Sequence, residues 1–331
     1  MKRFGIVFLV FIILVSVLAV SCKKKEQEQF VLKVGYGGSL CEAPVHAAYE
    51  FGFFEEEGLN IELIRLASGA AFDALTAGRI DASFALLAAI IQPLGNGLPA
   101  KITTGLHTGC DIVLVKPDSD INRVEDLRGK RIGIPSMTGS PSVYTKRVLA
   151  DHGVDIRVEA LEVEFIIYSV TDLPIVLANG SVDAIAMNEP TATIAANEYG
   201  YRILLDSAVD EPYKDQYCCV GYVSSRLAER HPDIAEKYTR ALQRASAFVH
   251  NNLEEITRVQ VEKNYVAGNA EVNAVVLSKF KYIPSVSGAY EAFGITAPQL
   301  QEIGMLSTDI NTDALQRNSF AFFDGLDAEF R

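Results

Sequence analysis

No tryptophan occurs among the 331 residues, and cysteine is scarce: five, at positions 22, 41, 110, 218 and 219. There is no C-x-x-C pair, and the neighbours Cys218 and Cys219 are not expected to pair with each other in a strand, which leaves one or two long-range disulfides open that sequence alone does not assign. H-E-x-x-H, a P-loop, G-x-S-x-G and the dinucleotide fingerprint are also missing, so no enzyme constellation is written in the chain. Positive charge is short. Thirty Lys and Arg against 42 Asp and Glu give a net charge of −12, which disfavours nucleic acid, whose phosphates demand a basic face. Long apolar runs are missing too, apart from the 17 uncharged residues Phe4–Val20.

That run follows Lys2 and Arg3 and leads into Leu18-Ala19-Val20-Ser21-Cys22, the n-region, h-region, cleavage-site order of a signal peptide. It falls short of the ~20 residues of a membrane helix, although a permanent anchor helix is the alternative. Leu18–Cys22 resembles a bacterial lipobox, with its leucine four rather than three residues before the cysteine. The expectation is a signal peptide over 1–21, lipid on Cys22 and a polar tether over 22–29. The chain is then exported and anchored to the cell membrane, facing periplasm or cell exterior. Its mature charge is −14 once Lys2 and Arg3 are removed.

Beyond the tether, short β-rich runs alternate with helical ones. VLKVGYGG (31–38), NIELIRLAS (60–68) and IDASFALL (80–87) read as strands, and APVHAAYEFGFFEEEG (43–58) as a helix stopped by glycine. After polar Asp118–Lys130 a second set opens with RIGIP, then the helix SPSVYTKRVLADHG and the strands VEALEVEFI, VDAIAM and YRILLDS. Such alternation implies βαβ units and mainly parallel sheets. One phrase occurs twice: LTAGRIDA (75–82) and LANGSVDA (177–184), each a helix stop followed by a strand start. The duplication predicts two similar α/β units, one interrupted by the other; the plainer reading is a good punctuation signal used twice. CCVGYVSS reads as one more strand, RLAERHPDIAEKYTRALQRASAFVHNN (226–252) as a long amphipathic helix, and the remainder as mostly helical.

Four stretches carry a family resemblance. AYEFGFFEEEGLNIEL is similar to the A-x-E-x-G-F-F-x-x-E-G-L motif of periplasmic solute-binding proteins for nitrate, taurine, alkanesulfonates and thiamine-pyrimidine precursors. ALTAGRIDAS resembles that family's helix-to-strand turn, DLRGKRIGIP its entry into the second lobe, and VDAIAMNEP its D-A-x-x-x-W-E-P, with Asn188 in place of tryptophan. The resemblance implies an α/β type II periplasmic-binding fold, two Rossmann-like lobes with a hinge and a cleft. It implies lobe I over 30–115 plus 219–331 and lobe II over 116–218. It also implies a monomer that captures a small polar ligand and delivers it to the permease and ATPase subunits of an ABC importer, with no cofactor and no metal. The ligand classes left open are a sulfonate- or nitrate-type anion and a pyrimidine-type thiamine precursor.

In open α/β sheets ligands bind outside the carboxyl ends of strands. Gly38, Ser39 and Leu40 follow the first strand, where a missing Cβ admits a ligand to the backbone; an ordinary βα turn is the plain alternative. Ser68 and Gly69 follow the second strand, and Leu87 ends IDASFALL. Ser136, Thr138, Gly139 and Ser140 precede a helix whose free N–H groups suit an anion, unless Ser140 only caps it. Asn188 and Glu189 close the second unit. Glu189 accepts from a ligand N–H or is merely a first-turn acid. Tyr168 offers an aromatic wall in place of the missing tryptophan. His107, in GLHTGCD, donates to an anion or joins Cys110 at a metal. Glu42, Asp111 and Glu189 are the acids expected to face the cleft, with no lysine or arginine beside them. Cys218 and Cys219, adjacent on a strand, are expected to point to opposite faces, so that only one enters the cleft.

The rival reading is a metal-dependent enzyme on the same fold, similar to thiamine-pyrimidine synthases, using His107 and the cysteines. A surface sensor or adhesin that has lost transport is the third.

Overall fold

The computed structural model describes residues 30–67, 69–157, 160, 162–324 and 326. The expected signal peptide (1–21), the expected tether with Cys22 (22–29) and Ser68 lie outside the described residues. No helix among the described residues is long and apolar enough to cross a membrane.

Among the described residues, ten strands form two five-stranded sheets. The first contains β1 (Val31–Tyr36), β2 (Asn60–Arg65), β3 (Ala82–Leu86), β4 (Ala100–Thr108) and β10 (Tyr217–Ser224), in the order β2-β1-β3-β10-β4. The second contains β5 (Asp111–Val115), β6 (Arg131–Ile134), β7 (Glu164–Ile167), β8 (Ala184–Asn188) and β9 (Arg202–Asp206), in the order β7-β6-β8-β5-β9. The fourth strand of each sheet is reversed: β10 runs antiparallel to β3 and β4, and β5 antiparallel to β8 and β9. The two reversed strands are the first ones laid down after each passage between sheets. Strand β5, assigned by the sequence to the first segment, therefore belongs to the second sheet.

The repeated phrase occupies equivalent places. Gly78 and Gly180 end their helices in the left-handed region, at φ +69° and +78°, which residues with a Cβ rarely adopt. Asp81 and Asp183 then clamp β1 and β6 in the same way. The Asp81 N–H donates to the Lys33 carbonyl (2.8 Å) and its carboxylate accepts from the Lys33 N–H (3.2 Å). Asp183 does the same with Arg131, at 2.8 and 2.9 Å. The phrase is thus a stop, a start and a strand clamp, and the chain needs one per sheet.

Both sheets are buried on two faces, so their central strands are continuously apolar. In β5, Val113 and Val115 pack with Ile132 and Val148 on one side, while Ile112 and Leu114 pack with Leu177 and Ile185 on the other. Two predicted helices are each divided. The 43–58 stretch becomes helices Ala43–Glu50 and Phe53–Glu56, separated where Gly52 takes φ +80°. The 226–252 stretch becomes Ser225–Arg230 and Pro232–Asn251, because Pro232 lacks the N–H that would continue the first.

Candidate functional site

The two passages between sheets meet. The first, Gly109-Cys110 between β4 and β5, lies against the start of the second, which leaves β9 at Ser207. Ser207 Oγ accepts from the N–H groups of Cys110 (2.9 Å) and Asp111 (2.8 Å), and its own N–H donates to the Asp111 carbonyl (3.0 Å). Gly109 makes this approach possible. It has φ +73°, and a Cβ there would lie 2.6 Å from the Ala208 Cβ.

Asp111 is 3% exposed and sits at the centre. Its Oδ1 accepts from Ser140 Oγ and from Asn188 Nδ2 (2.7 Å), and Asn188 Nδ2 also lies 3.3 Å from Ser140 Oγ. Burial pushes the carboxyl up to about 7, against the pull of the Ser140 hydroxyl. Ser140 begins the helix Ser140–Asp151, so its hydroxyl, expected to hold an anion, is engaged with the protein's own carboxylate.

The loop after β1 closes the same region. Glu42, 1% exposed, accepts from the N–H groups of Gly37 (2.6 Å) and Gly38 (2.8 Å), and burial pushes it up to about 7 despite those bonds. Gly38 has φ +96°. Across from it, the Glu189 carbonyl accepts from the Leu40 N–H and from Ser39 Oγ, both at 3.2 Å. The Glu189 carboxylate instead accepts from the Thr193 N–H (3.0 Å) and Thr193 Oγ1 (2.8 Å), within the first turn of helix Thr191–Tyr199. Glu189 lends the site its backbone rather than its charge.

Beneath lie His107 and four free thiols. His107 is fully buried and stacks on Phe280 with centroids 5.3 Å apart. Its Nε2 is 2.9 Å from the Cys41 carbonyl and its Nδ1 3.1 Å from the Thr108 carbonyl. Only a doubly protonated ring donates to both. Burial opposes that charge, but the neighbouring Cys219 sulfur and the two carbonyls raise the imidazole overall. Cys219, although desolvated, is held well below an ordinary thiol by the surrounding thiols and His107.

Cys218 and Cys219 do not divide between the two faces as expected. Tyr217 pairs with Thr108 and Cys219 with His107, so β10 carries an extra residue, and a bulge re-aims its side chains. Cys218 Sγ lies 2.9 Å from Cys110 Sγ, and the Cys219 sulfur comes within 4.8 Å of those of Cys41 and Cys110.

A cavity of about 40 Å³ opens beside this cluster, lined by Gly109, Asp111, Ser140, Tyr144, Arg147 and Cys218 among others. A larger depression of about 1010 Å³ around residues 250–278 carries no comparable convergence of buried polar groups, and one of about 300 Å³ reaches the other side of Arg147, with Asp151 and Gln299. Arg147 corrects the expectation that no cation stands beside the acids. It is 7% exposed, its Nη2 donates to Gln216 Oε1 and Gln299 Oε1 (both 2.7 Å), and its Nε has no hydrogen-bond partner. Arg147 follows Ser140 by seven residues, two helical turns on the same face, and that spacing was the signal available in the sequence.

Of the predicted residues, Ser39, Leu40, Ser140, Asn188, Glu189 and His107 are brought together, and Gly38 flanks them through Glu42. Ser136 and Gly139 are half-buried just ahead of Ser140, where the Ser136 carbonyl accepts from Ser142 Oγ (2.5 Å), while Thr138 is exposed. Leu87 is core, 1% exposed among Ile90, Ile91 and Phe293. Tyr168 packs at the margin of the core around Leu173 and Ile185. Gly69 is exposed in open space.

Known proteins resemble the chain over most of its length. A Bacillus subtilis (strain 168) protein named for aliphatic sulfonate binding is 24% identical over 233 residues, 68% of this chain and 67% of its own length. The alkanesulfonate-binding protein SsuA from Xanthomonas axonopodis pv. citri, bound to MOPS, superimposes with a TM-score of 0.74 at 17% identity, covering 88% of this chain and 98% of its own. The periplasmic nitrate-binding protein NrtA from Synechocystis PCC 6803 gives 0.75 at 16% identity, over 88% and 86%. A Candida albicans protein described as exhibiting the generic periplasmic binding protein structural fold gives 0.70 at 16%, over 88% and 95%. At these identities the structural likeness carries the fold, which is that of the periplasmic binding proteins. A model of the NMT1-like family matches residues 24–261, most of the chain. The chain belongs to the NMT1-like family.

Proposed function

We propose that this protein is the substrate-binding component of an ABC importer, exported and held at the cell membrane by lipid on Cys22. In this reading the two sheets are the cores of two lobes, and the passages at Gly109-Cys110 and Ser207–Gln216 are the hinge. The ligand lies between Asp111, Ser140 and Arg147. Sulfonate- and nitrate-binding relatives of the same fold support an importer role.

The observation that carries the ligand class is the pair of buried charges in one cavity. Asp111 lines it as an acceptor already holding two protein donors, and Arg147 lines it too, with a buried Nε that has no hydrogen-bond partner. No ion pair joins the two among the described residues. A ligand that satisfies both carries an N–H or ammonium donor at one end and an anionic or acceptor group at the other. An amino-sulfonate or an aminopyrimidine has that pattern; nitrate and a simple alkanesulfonate do not. A cavity of about 40 Å³ is far below the ~300–1,000 Å³ of ordinary ligand pockets. Entry of such a ligand therefore requires the lobes to part and reclose, as in hinge-bending binding proteins.

The test is thermal unfolding of the purified chain with taurine, ethanesulfonate, nitrate and an aminopyrimidine. Taurine or the aminopyrimidine raises the midpoint, and Asp111→Asn weakens that ligand by ~10–150-fold, the worth of one hydrogen bond to a charged group. Equal shifts from ethanesulfonate and taurine would refute the ligand class. No shift with any of them would refute the assignment of the cavity.

A further inference from the structure

Cysteine is rare in this chain, yet every cysteine in the described residues arrives at one point. Cys41 comes from the turn Leu40–Glu42 after β1, Cys110 from the first passage between sheets, and Cys218 and Cys219 from the start of β10. The sulfurs of Cys41, Cys110 and Cys219 all lie within 4.8 Å of one another, at exposures of 2%, 1% and 0%. Cys218 Sγ touches Cys110 Sγ at 2.9 Å and, with Asp111, forms an overlapping set of potential ligands.

We propose that Cys41, Cys110 and Cys219, completed by Cys218, form a buried binding site for a soft, thiolate-preferring metal ion, zinc(II) or copper(I). Metal–sulfur bonds of ~2.3 Å at a tetrahedral centre set the sulfurs ~3.8 Å apart, so the observed triad needs only a small contraction. An all-sulfur donor set selects zinc or copper(I) over magnesium, calcium or manganese, which prefer oxygen. The β10 bulge brings two consecutive cysteines to the same side, each next to Cys110; a regular strand would send one away. Surrounding groups brace the ligands. Ser39 Oγ lies 3.1 Å from Cys41 Sγ, and His107 Nε2 meets the Cys41 carbonyl at 2.9 Å. Cys218 is half-buried and lines the cavity that holds Asp111, so an ion has a route from that cavity to the triad. The bound ion ties the loop after β1 to both β10 and the first passage, the segments between which the lobes would hinge. The site shares Cys218 with the wall of the ligand cavity, but its thiolate chemistry does not depend on what that cavity binds.

The experiment loads the full chain, purified with reductant and without oxygen, with zinc alone, copper(I) alone or magnesium alone. Metal per chain is measured after gel filtration, and thiol reactivity is measured in parallel. The expected result is stoichiometric zinc or copper(I), no magnesium, and protection of the thiols from reagent. Cobalt(II) replacing zinc shows thiolate-to-metal charge-transfer absorption. Cys110→Ser and Cys219→Ser abolish retention, whereas Cys22→Ser does not. The cobalt spectrum on the unaltered chain decides the matter if either cysteine variant fails to fold. Folded, reduced protein that retains no metal overturns the proposal. So do equal retention by both variants, and a Cys110–Cys218 disulfide in the protein recovered from the exported fraction.

Discussion

Replacing His46 with Phe should change how stability responds to acid. His46 is fully buried in the helix Ala43–Glu50. It stacks on Tyr265 with centroids 4.2 Å apart and is met edge-on by Tyr36. Its Nδ1 lies 2.9 Å from Gln260 Nε2, so a proton added there would face the amide's own hydrogens. Burial, with the Arg65 charge adding to it, pushes the imidazole from 6.5 down to about 3. At neutral pH its 3.7 Å approach to Glu42 is therefore no ion pair. As pH falls below 6.5 the unfolded chain binds a proton at this residue that the folded chain refuses. The contribution of neutral His46 is thus present above pH 6.5 and is lost on acidification, at ~1.4 kcal/mol per pH unit, down to about pH 3. Between pH 6.5 and 5 the loss is about 2 kcal/mol. Phe keeps the stacking and cannot titrate, and every other group titrates in both proteins and cancels. Denaturant unfolding of the two proteins at pH 7 and pH 5 should therefore show His46→Phe gaining about 2 kcal/mol on the parent over that interval, whatever its absolute stability. Parallel pH dependences would refute the claim that His46 is held neutral.

Other consequences can be read in the same preparations. Gly109→Ala puts a Cβ 2.6 Å from the Ala208 Cβ in a left-handed conformation, so it should cost more than ~1 kcal/mol and loosen the junction between the sheets; an unchanged unfolding midpoint would contradict this. Ser140→Ala removes a donor that stabilises the charged Asp111, and should weaken the cavity's ligand by ~1 kcal/mol or more while leaving the fold intact by circular dichroism. Gly105→Ala drives a Cβ to 2.4 Å from Tyr217 Cδ1 and 2.9 Å from the Ser285 carbonyl, and should lower the yield of folded protein more than any of these. Cys22→Ser should move the protein from the membrane to the soluble fraction, and detergent phase partitioning measures the change.

Where the candidate site's loops would meet was partly legible, and what their residues do there was not. The loops after β1 and β8 were marked by position alone, because ligands gather at the carboxyl ends of strands, and Ser39, Leu40, Asn188 and Glu189 do meet there. What each residue contributes depends on orientation. Glu189 turned its carboxylate toward Thr193 and offered its carbonyl. Ser140 gave its hydroxyl to Asp111 instead of keeping it for an anion. Leu87 began a helix with its side chain in the core. The opposite-faces rule for Cys218 and Cys219 failed because a bulge inserts a residue, and a bulge is set by cross-strand register, which no local pattern encodes.

The sequence by itself determined the two α/β units. Hydrophobic periodicity and the twice-used stop, start and clamp are local properties, written within some eight residues at 75–82 and 177–184. It also determined the acidic balance, which is a sum along the chain. Only the tertiary structure decided that Asp111 and Arg147 share a cavity, and that cysteines up to 178 residues apart converge. Both depend on where the chain passes from one sheet to the other and back. That passage is fixed by packing on both faces of β5 and β10, which sums over residues distant in sequence.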